Sequence, residues 1–284
     1  MLLLFKHCKE CKLDTLALTN SPFYHTVFVN CNGVTVTKVD IDSPTSSKNT
    51  DGISLYASKR VRVRDCTVAT GDDNIVIKEG TSDVVVQDCV FTGGHGASIG
   101  SLGEGGSSGT VTDVVMKRLK FVGTDYAARV KTWQGGRGAV RNISFSDIKL
   151  EDVGTPVAIN QVYCPHSQHP GECQRGTSAV HISDITVRRM TGSYKDKQPI
   201  SLRCDPVAPC RRIVLDHVDL KPAHKASHNL TNLCENAFGT ASNVNPPACL
   251  LREGGFSAME ATERAKAAES VANTLSLRRR KESR

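Results

Sequence analysis

Val61-Arg62-Val63-Arg64-Asp65-Cys66-Thr67-Val68 and Val84-Val85-Val86-Gln87-Asp88-Cys89-Val90-Phe91 repeat one pattern, apolar at positions one, three, six and eight of eight residues. Alternation at one and three describes a short strand with one buried face. The slip to six and eight describes a bend, filled by polar residues, that re-aims the chain into a second strand. The pattern recurs at Val34 to Ile41, Val114 to Phe121, Ile143 to Leu150, Val180 to Val187 and Ile213 to Leu220, seven copies with starts 23 to 37 residues apart. A second register follows: Gly52 to Leu55, Asn74 to Ile77, Gly96 to Ile99, Ala127 to Lys131, Val157 to Ile159 and Ile200 to Leu202. Each period therefore holds at least three short strands, with no helical periodicity between them.

Repeats of this size cannot bury their apolar positions alone and must stack. Leucine-rich repeats need regular leucine and asparagine positions, and propellers need antiparallel hairpins with two-residue turns; neither is present. The fold class expected is all-β, a right-handed parallel β-helix spanning residues 1–251. From Gly254 the repeat stops, and residues 252–284 form an Ala, Glu and Arg-rich tail, helical or disordered.

The 284 residues carry a net charge of +7. The tail holds eight basic and five acidic residues, so the body before Arg252 keeps only +4. That modest excess suits a polyanionic ligand, but with 5% aromatics and no basic stripe it argues against nucleic acid. No apolar run is long enough to span a membrane, and Lys6 interrupts Met1 to Phe5 before a signal-peptide core could form. The protein is thus expected to be cytosolic or to lack its natural N-terminus. Eleven cysteines favour an oxidising compartment, and two glycosylation sequons, at Asn142 and Asn229, agree with secretion. Cys8 and Cys11 form a C-x-x-C without a second pair to complete a zinc site. Cys66 and Cys89, at position six of successive octads, read as buried thiols. Cys164 with Cys173, Cys204 with Cys210 and Cys234 with Cys249 are the expected disulfides.

Polar clusters interrupt successive periods beside the second-register strands: Asn49 to Gly52, Gly71 to Asn74, Gly94 to Gly96 and Arg129 to Thr132. Taken singly, each reads as a turn or a solvated pair. Asp51, Asp73 and His95, however, are 22 residues apart each, so one coil per period stacks them about 4.8 Å apart, in a column that continues through Arg129, Lys131 and Tyr163. Three acids converging on one face are unfavourable unless a proton or cation is shared.

Four ordered motifs, Asn49-Thr50-Asp51-Gly52, Gly71-Asp72-Asp73, Gly94-His95-Gly96 and Arg129-Val130-Lys131-Thr132, resemble those of the polygalacturonases, glycoside hydrolase family 28. The resemblance runs from about Asn20 to Cys210. It implies a secreted, cell-wall-acting monomer that hydrolyses α-1,4-galacturonosyl bonds of polygalacturonate with inversion and without metal or other cofactor. Asp72 would be the general acid, its pKa raised by Asp51 and Asp73 and tuned by His95. Asp51 and Asp73 would activate water, and Asn49, Arg129, Lys131 and Tyr163 would bind substrate. Asn74 stands where many relatives have cysteine and Val130 where isoleucine is usual. Relatives carry further N-terminal coils, so the chain is expected to begin inside the fold. Alternatives are another family 28 activity on rhamnogalacturonan or xylogalacturonan, a calcium-dependent pectate lyase, and a non-catalytic pectin-binding solenoid.

Overall fold

Each octad lies on one wall of a continuous coil and the second-register segment after it on another. The computed structural model describes residues 1–165, 176–196, 198–223 and 231–252. In chain order the strands are β1 (Leu3–Lys6), β2 (Lys9–Thr19), β3 (Thr26–Val29), β4 (Asn32–Asp42), β5 (Ile53–Tyr56), β6 (Lys59–Arg64), β7 (Thr67–Ala69), β8 (Asp73–Ile77), β9 (Ser82–Thr92), β10 (Gly96–Leu102), β11 (Ser108–Val122), β12 (Tyr126–Trp133), β13 (Arg137–Val153), β14 (Thr155–Tyr163), β15 (His181–Tyr194), β16 (Ile200–Arg203), β17 (Cys210–Pro222), β18 (Leu233–Glu235) and β19 (Ala237–Asn245). The first sheet runs β1-β3-β5-β8-β10-β12-β14-β16-β18 and the second β19-β17-β15-β13-β11-β9-β6-β4-β2, with β7 beside β4 and β9. All pairings given for these strands are parallel, and the fold is the expected right-handed parallel β-helix.

The octads stack by position. Val36, Val63, Val86, Met116, Phe145, Val187 and Leu215 form one inward ladder, and all are at most 1% exposed. Phe91 and Phe121, at position eight of adjacent coils, meet edge to face at 5.3 Å between centroids. Each such fully buried side chain contributes roughly 1.5–3 kcal/mol.

The bend at position five is a left-handed backbone residue in coil after coil: Lys38, Asp65, Asp88, Arg118, Asp147, Arg189 and His217 have φ between 48° and 58°. A single residue of this kind turns the strand while leaving its neighbours extended, which is why most octads form one bent strand; only β6 and β7 are separated. These corners face solvent and pair across coils, Arg118 with Asp88 at 2.7 Å and Arg189 with Asp147 at 2.6 Å. Exposed pairs of this kind are worth at most about 1 kcal/mol.

One sequence register needs correction. Ile143 pairs with Ile185 and Phe145 with Val187, so the sixth octad runs from Ile185 to Gly192, five residues beyond the expected Val180 start. Its eighth position escaped apolar pattern matching because it is Gly192, opposite Leu150. A Cβ there would lie 2.0 Å from the Leu150 carbonyl oxygen.

Cys204–Cys210 and Cys234–Cys249 are disulfides, and Cys66 and Cys89 are buried free thiols, as expected. Cys173, Asn229 and the tail from residue 253 lie outside the described residues. Cys31 joins the Cys8–Cys11 pair from the next coil, the three sulfurs lying within 4.8 Å of one another. Among the described residues no helix is long and apolar enough to cross a membrane.

Candidate active site

The first sheet carries the polar clusters on its outer face. Asp73 opens β8 and is in register with Gly96, not with His95, because the ladder shifts by one residue between Asp73 and Ile75. Asn74 occupies the shift. Fully buried, it donates its side-chain amide to the carbonyl of Val68 at 3.0 Å and to Thr70 Oγ1 at 3.1 Å, and accepts the Gly96 amide at 2.9 Å. This peg fixes the turn that presents Asp72 and Asp73. Gly71 precedes them, and a Cβ there would lie 2.1 Å from the Ser47 carbonyl oxygen; the glycine serves close backbone approach.

His95 consequently stands level with Asp72. Its amide donates to the Asp72 carbonyl at 2.9 Å, and Nδ1 lies 3.1 Å from Asp72 Oδ1. On its other side Nε2 is 3.5 Å from Asp125 Oδ2, a partner the sequence reading missed. Asp72 also accepts the Asp73 amide at 2.7 Å.

Arg129 and Lys131 sit farther along the strand than the expected column. Arg129 is in register with Ser98, and Lys131 with Gly100. Both side chains reach back: Lys131 Nζ is 2.7 Å from Asp73 Oδ2, and Arg129 Nη1 is 3.7 Å from Asp73 Oδ1. Ser98, another residue the sequence did not single out, donates to Asp73 Oδ1 at 2.6 Å. The Arg129 guanidinium lies 4.1 Å from the centroid of the Tyr126 ring and 5.8 Å from that of Tyr163, and Lys131 Nζ is 5.7 Å from the latter. Tyr163 meets Trp133 edge to face. Arg129 Nη1 is buried without a hydrogen-bond partner among the described residues. Asn49, exposed and with φ 58°, stands two residues before Asp51.

The electrostatics differ from expectation in one respect. Asp51, 7% exposed, is the carboxyl that is pushed up, to about 8, by burial first and then by the charges of Asp73 and Asp72. Burial works to raise Asp72 as well, but the hydrogen bond and charge of His95 outweigh it and hold Asp72 below the usual carboxylate value. His95 is raised in turn by that hydrogen bond, against burial. Of the three groups, Asp51 and His95 are thus the two whose proton affinity is raised. Asp72, Asp73 and His95 also bring ligand atoms within 4.8 Å of one another, although Asp73 is already engaged by Lys131 and Ser98.

A buried carboxylate with two cations, beside an acid–imidazole pair and a carboxyl of raised pKa, is an arrangement for general acid–base chemistry on an anionic substrate. A model of glycosyl hydrolases family 28 matches residues 1–242. The chain belongs to that family. A polygalacturonase of Juniperus ashei is 37% identical over 241 residues, 85% of this chain and 46% of the juniper protein. One from Cryptomeria japonica is 38% identical over 237 residues, 84% of this chain and 45% of that protein. The chain thus spans about half the length of the curated family 28 relatives it matches. The solved structure of a polygalacturonase from Erwinia carotovora superposes with a TM-score of 0.65 at 27% identity, over 85% of this chain and 58% of that one.

Proposed function

We propose that the protein hydrolyses α-1,4-galacturonosyl bonds of polygalacturonate, the backbone of pectin, with inversion at the anomeric carbon, acting outside the cell on wall polysaccharide. The observation that carries this reading is the buried Asp73–Lys131–Arg129 cluster next to the Asp72–His95 pair. Arg129, whose buried Nη1 makes no hydrogen bond and lies only at ion-pair distance from Asp73, with an aromatic ring behind it, supplies the two-pronged anchor that a sugar carboxylate requires. Lys131 adds a point charge, and Tyr163 closes that side. Asn49 is assigned to the rim of the same cleft.

Inverting hydrolysis needs an acid for the leaving oxygen and a carboxylate for water. Asp72 is assigned as the acid. His95, charged at mildly acidic pH, supplies the proton that Asp72 passes to the leaving oxygen as the bond breaks. Asp73 takes the proton of the attacking water, and protonated Asp51 orients that water through a hydrogen bond. After turnover the proton on Asp73 returns to the Asp72–His95 pair through solvent.

The test is reducing-sugar release from polygalacturonic acid at mildly acidic pH with a chelator present, for the wild type and Asp72→Asn. Release by the wild type, reduced by two or more orders of magnitude in the folded variant, is the expected result. Equal rates would remove Asp72 from the mechanism. Release of an unsaturated product that stops when the chelator is added would replace hydrolysis by elimination.

A further inference from the structure

Across the acids from Arg129, the β3 to β8 side of the cleft carries a patch that this mechanism leaves unused. Lys78 follows β8 directly, and its ammonium lies 6.0 Å from the centroid of the Tyr56 ring. The Tyr56 side chain neighbours that of Tyr24, whose ring packs at 4.3 Å against that of the exposed Phe23. The chain at Tyr24 runs beside the acids, since the amide of the next residue, His25, donates to the Asp51 carbonyl at 2.8 Å; burial first, and then the charges of Asp51, Asp72 and Asp73, raise the pKa of Tyr24.

The sheet register ties this patch to the other side. Gly100, Lys131, Asn160 and Arg203 share one row. Ile77 pairs with Ile99, so Lys78 extends the same row on the far side of Gly100. Gly100 puts no side chain between the two lysines, and a Cβ there would lie 2.1 Å from the Lys131 carbonyl oxygen. Two coil spacings, roughly 10 Å, separate the lysine backbones.

The two lysines differ in employment. Lys131 is ion-paired with Asp73, whereas the side chain of half-buried Lys78 makes no hydrogen bond or ion pair to any described residue. Burial, and secondarily the charge of Lys131, lowers its pKa from the ordinary lysine value. The charges of Asp73, Glu79 and Asp51 act on Lys78 only from a distance; an ammonium kept partly out of water with no carboxylate in contact is unfavourable, and an incoming carboxylate would relieve that cost.

We propose that Lys78, with the Tyr24 and Tyr56 rings, forms a second carboxylate-binding subsite, which holds a uronic-acid unit on the opposite side of the scissile bond from the unit gripped by Arg129 and Lys131. The identity of the sugar rests on the hydrolase reading above; the anion site rests on Lys78 itself. The consequence for specificity is that a methyl ester at this unit removes the charge Lys78 recognises, so the enzyme selects runs of free acid on both sides of the cut.

The experiment measures trigalacturonate binding by calorimetry and KM and kcat on polygalacturonate, for the wild type, Lys78→Gln, Lys78→Met and Lys78→Arg. Loss of the ammonium should weaken binding and raise KM by about tenfold with kcat nearly unchanged, and Lys78→Arg should recover most of the loss. On highly methyl-esterified pectin the wild type and Lys78→Met should differ little. Lys78→Met, which keeps the stem and discards the buried charge, should melt no lower than the wild type and so separates binding from folding. Binding that weakens in the variants while no protein releases sugar would sustain the subsite and overturn the hydrolase reading. Equal affinities and KM values, or no binding of trigalacturonate by the folded wild type, would overturn the subsite.

Discussion

Lys131 Nζ lies 2.7 Å from Asp73 Oδ2, with the two side chains only 8% and 3% exposed. They stand 58 positions apart in the chain and two coils apart in the sheet. A buried pair of this kind adds little net stability, because desolvation offsets the attraction, yet removing one partner strands the other. Lys131→Met is therefore expected to lower stability by about 3 kcal/mol, while Lys131→Met with Asp73→Asn recovers most of that loss. Chemical denaturation of both variants checks it; an additive double variant would show that the two charges do not depend on each other.

Asp51 sets a pH dependence of stability. Its folded-state value of about 8 lies above the unfolded value of about 3.9, so the folded protein binds the additional proton between those limits. Stability is thus greatest on the acid side and falls as pH rises from about 4 to about 8. Asp51→Asn should flatten this slope and stabilise the protein at pH 8 by up to about 5 kcal/mol. Melting curves across that range are the measurement, and an unchanged slope in the variant would remove Asp51 as its source.

The His95–Asp72 pair sets a different limb. His95 is raised, so the proton it stores persists above the usual histidine pKa and is lost on further alkalinisation. Activity should fall as pH passes through that raised value, and His95→Gln should lower kcat/KM by about 10- to 100-fold and abolish the limb. Asp125→Asn, which withdraws the more distant carboxylate from Nε2, should move the limb toward lower pH. Complete pH profiles for both variants decide this.

Asn74 anchors the acids through bonds to four groups, among them the Thr92 carbonyl. Asn74→Ala leaves buried carbonyls without a donor and should cost about 2–3 kcal/mol. Because the turn it holds presents Asp72 and Asp73, kcat should fall with stability. A variant as stable and as active as the wild type would show that the turn holds itself.

The repeat was legible because a coil has few ways to bury alternate residues: six of seven octads fall in the register of the sheet, as do the second-register strands of the first sheet. The sixth octad was misread where glycine replaces an apolar side chain at Gly192. The acids, His95, Arg129, Lys131 and Tyr163 do assemble on one face. Their detailed partnerships were hidden for two reasons. A one-residue shift at Asn74 moves His95 from Asp73 to Asp72, and long side chains on β12 reach back by a distance that spacing cannot give. Ser98, Tyr126, Asp125 and Lys78 were missed because each is ordinary in sequence and becomes informative only through what lies beside it. The charge pattern was reversed for a related reason: like charge alone suggested that Asp72 would hold a proton, but His95 sits on Asp72 and Asp51 has no cation of its own.

The left-handed corners at position five have a consequence for how such a molecule can change over evolutionary time. Direction is imposed on the chain by one backbone angle per coil, borne here by Lys, Asp, Arg and His alike, so no particular side chain is obligatory on the outside. Whole coils can then be gained or lost as interchangeable units, and each one lengthens the groove by a fixed step. A polymer binder built in this way measures its ligand as a ruler does, by counting divisions, and its reach can be reset without redesigning the point at which it cuts.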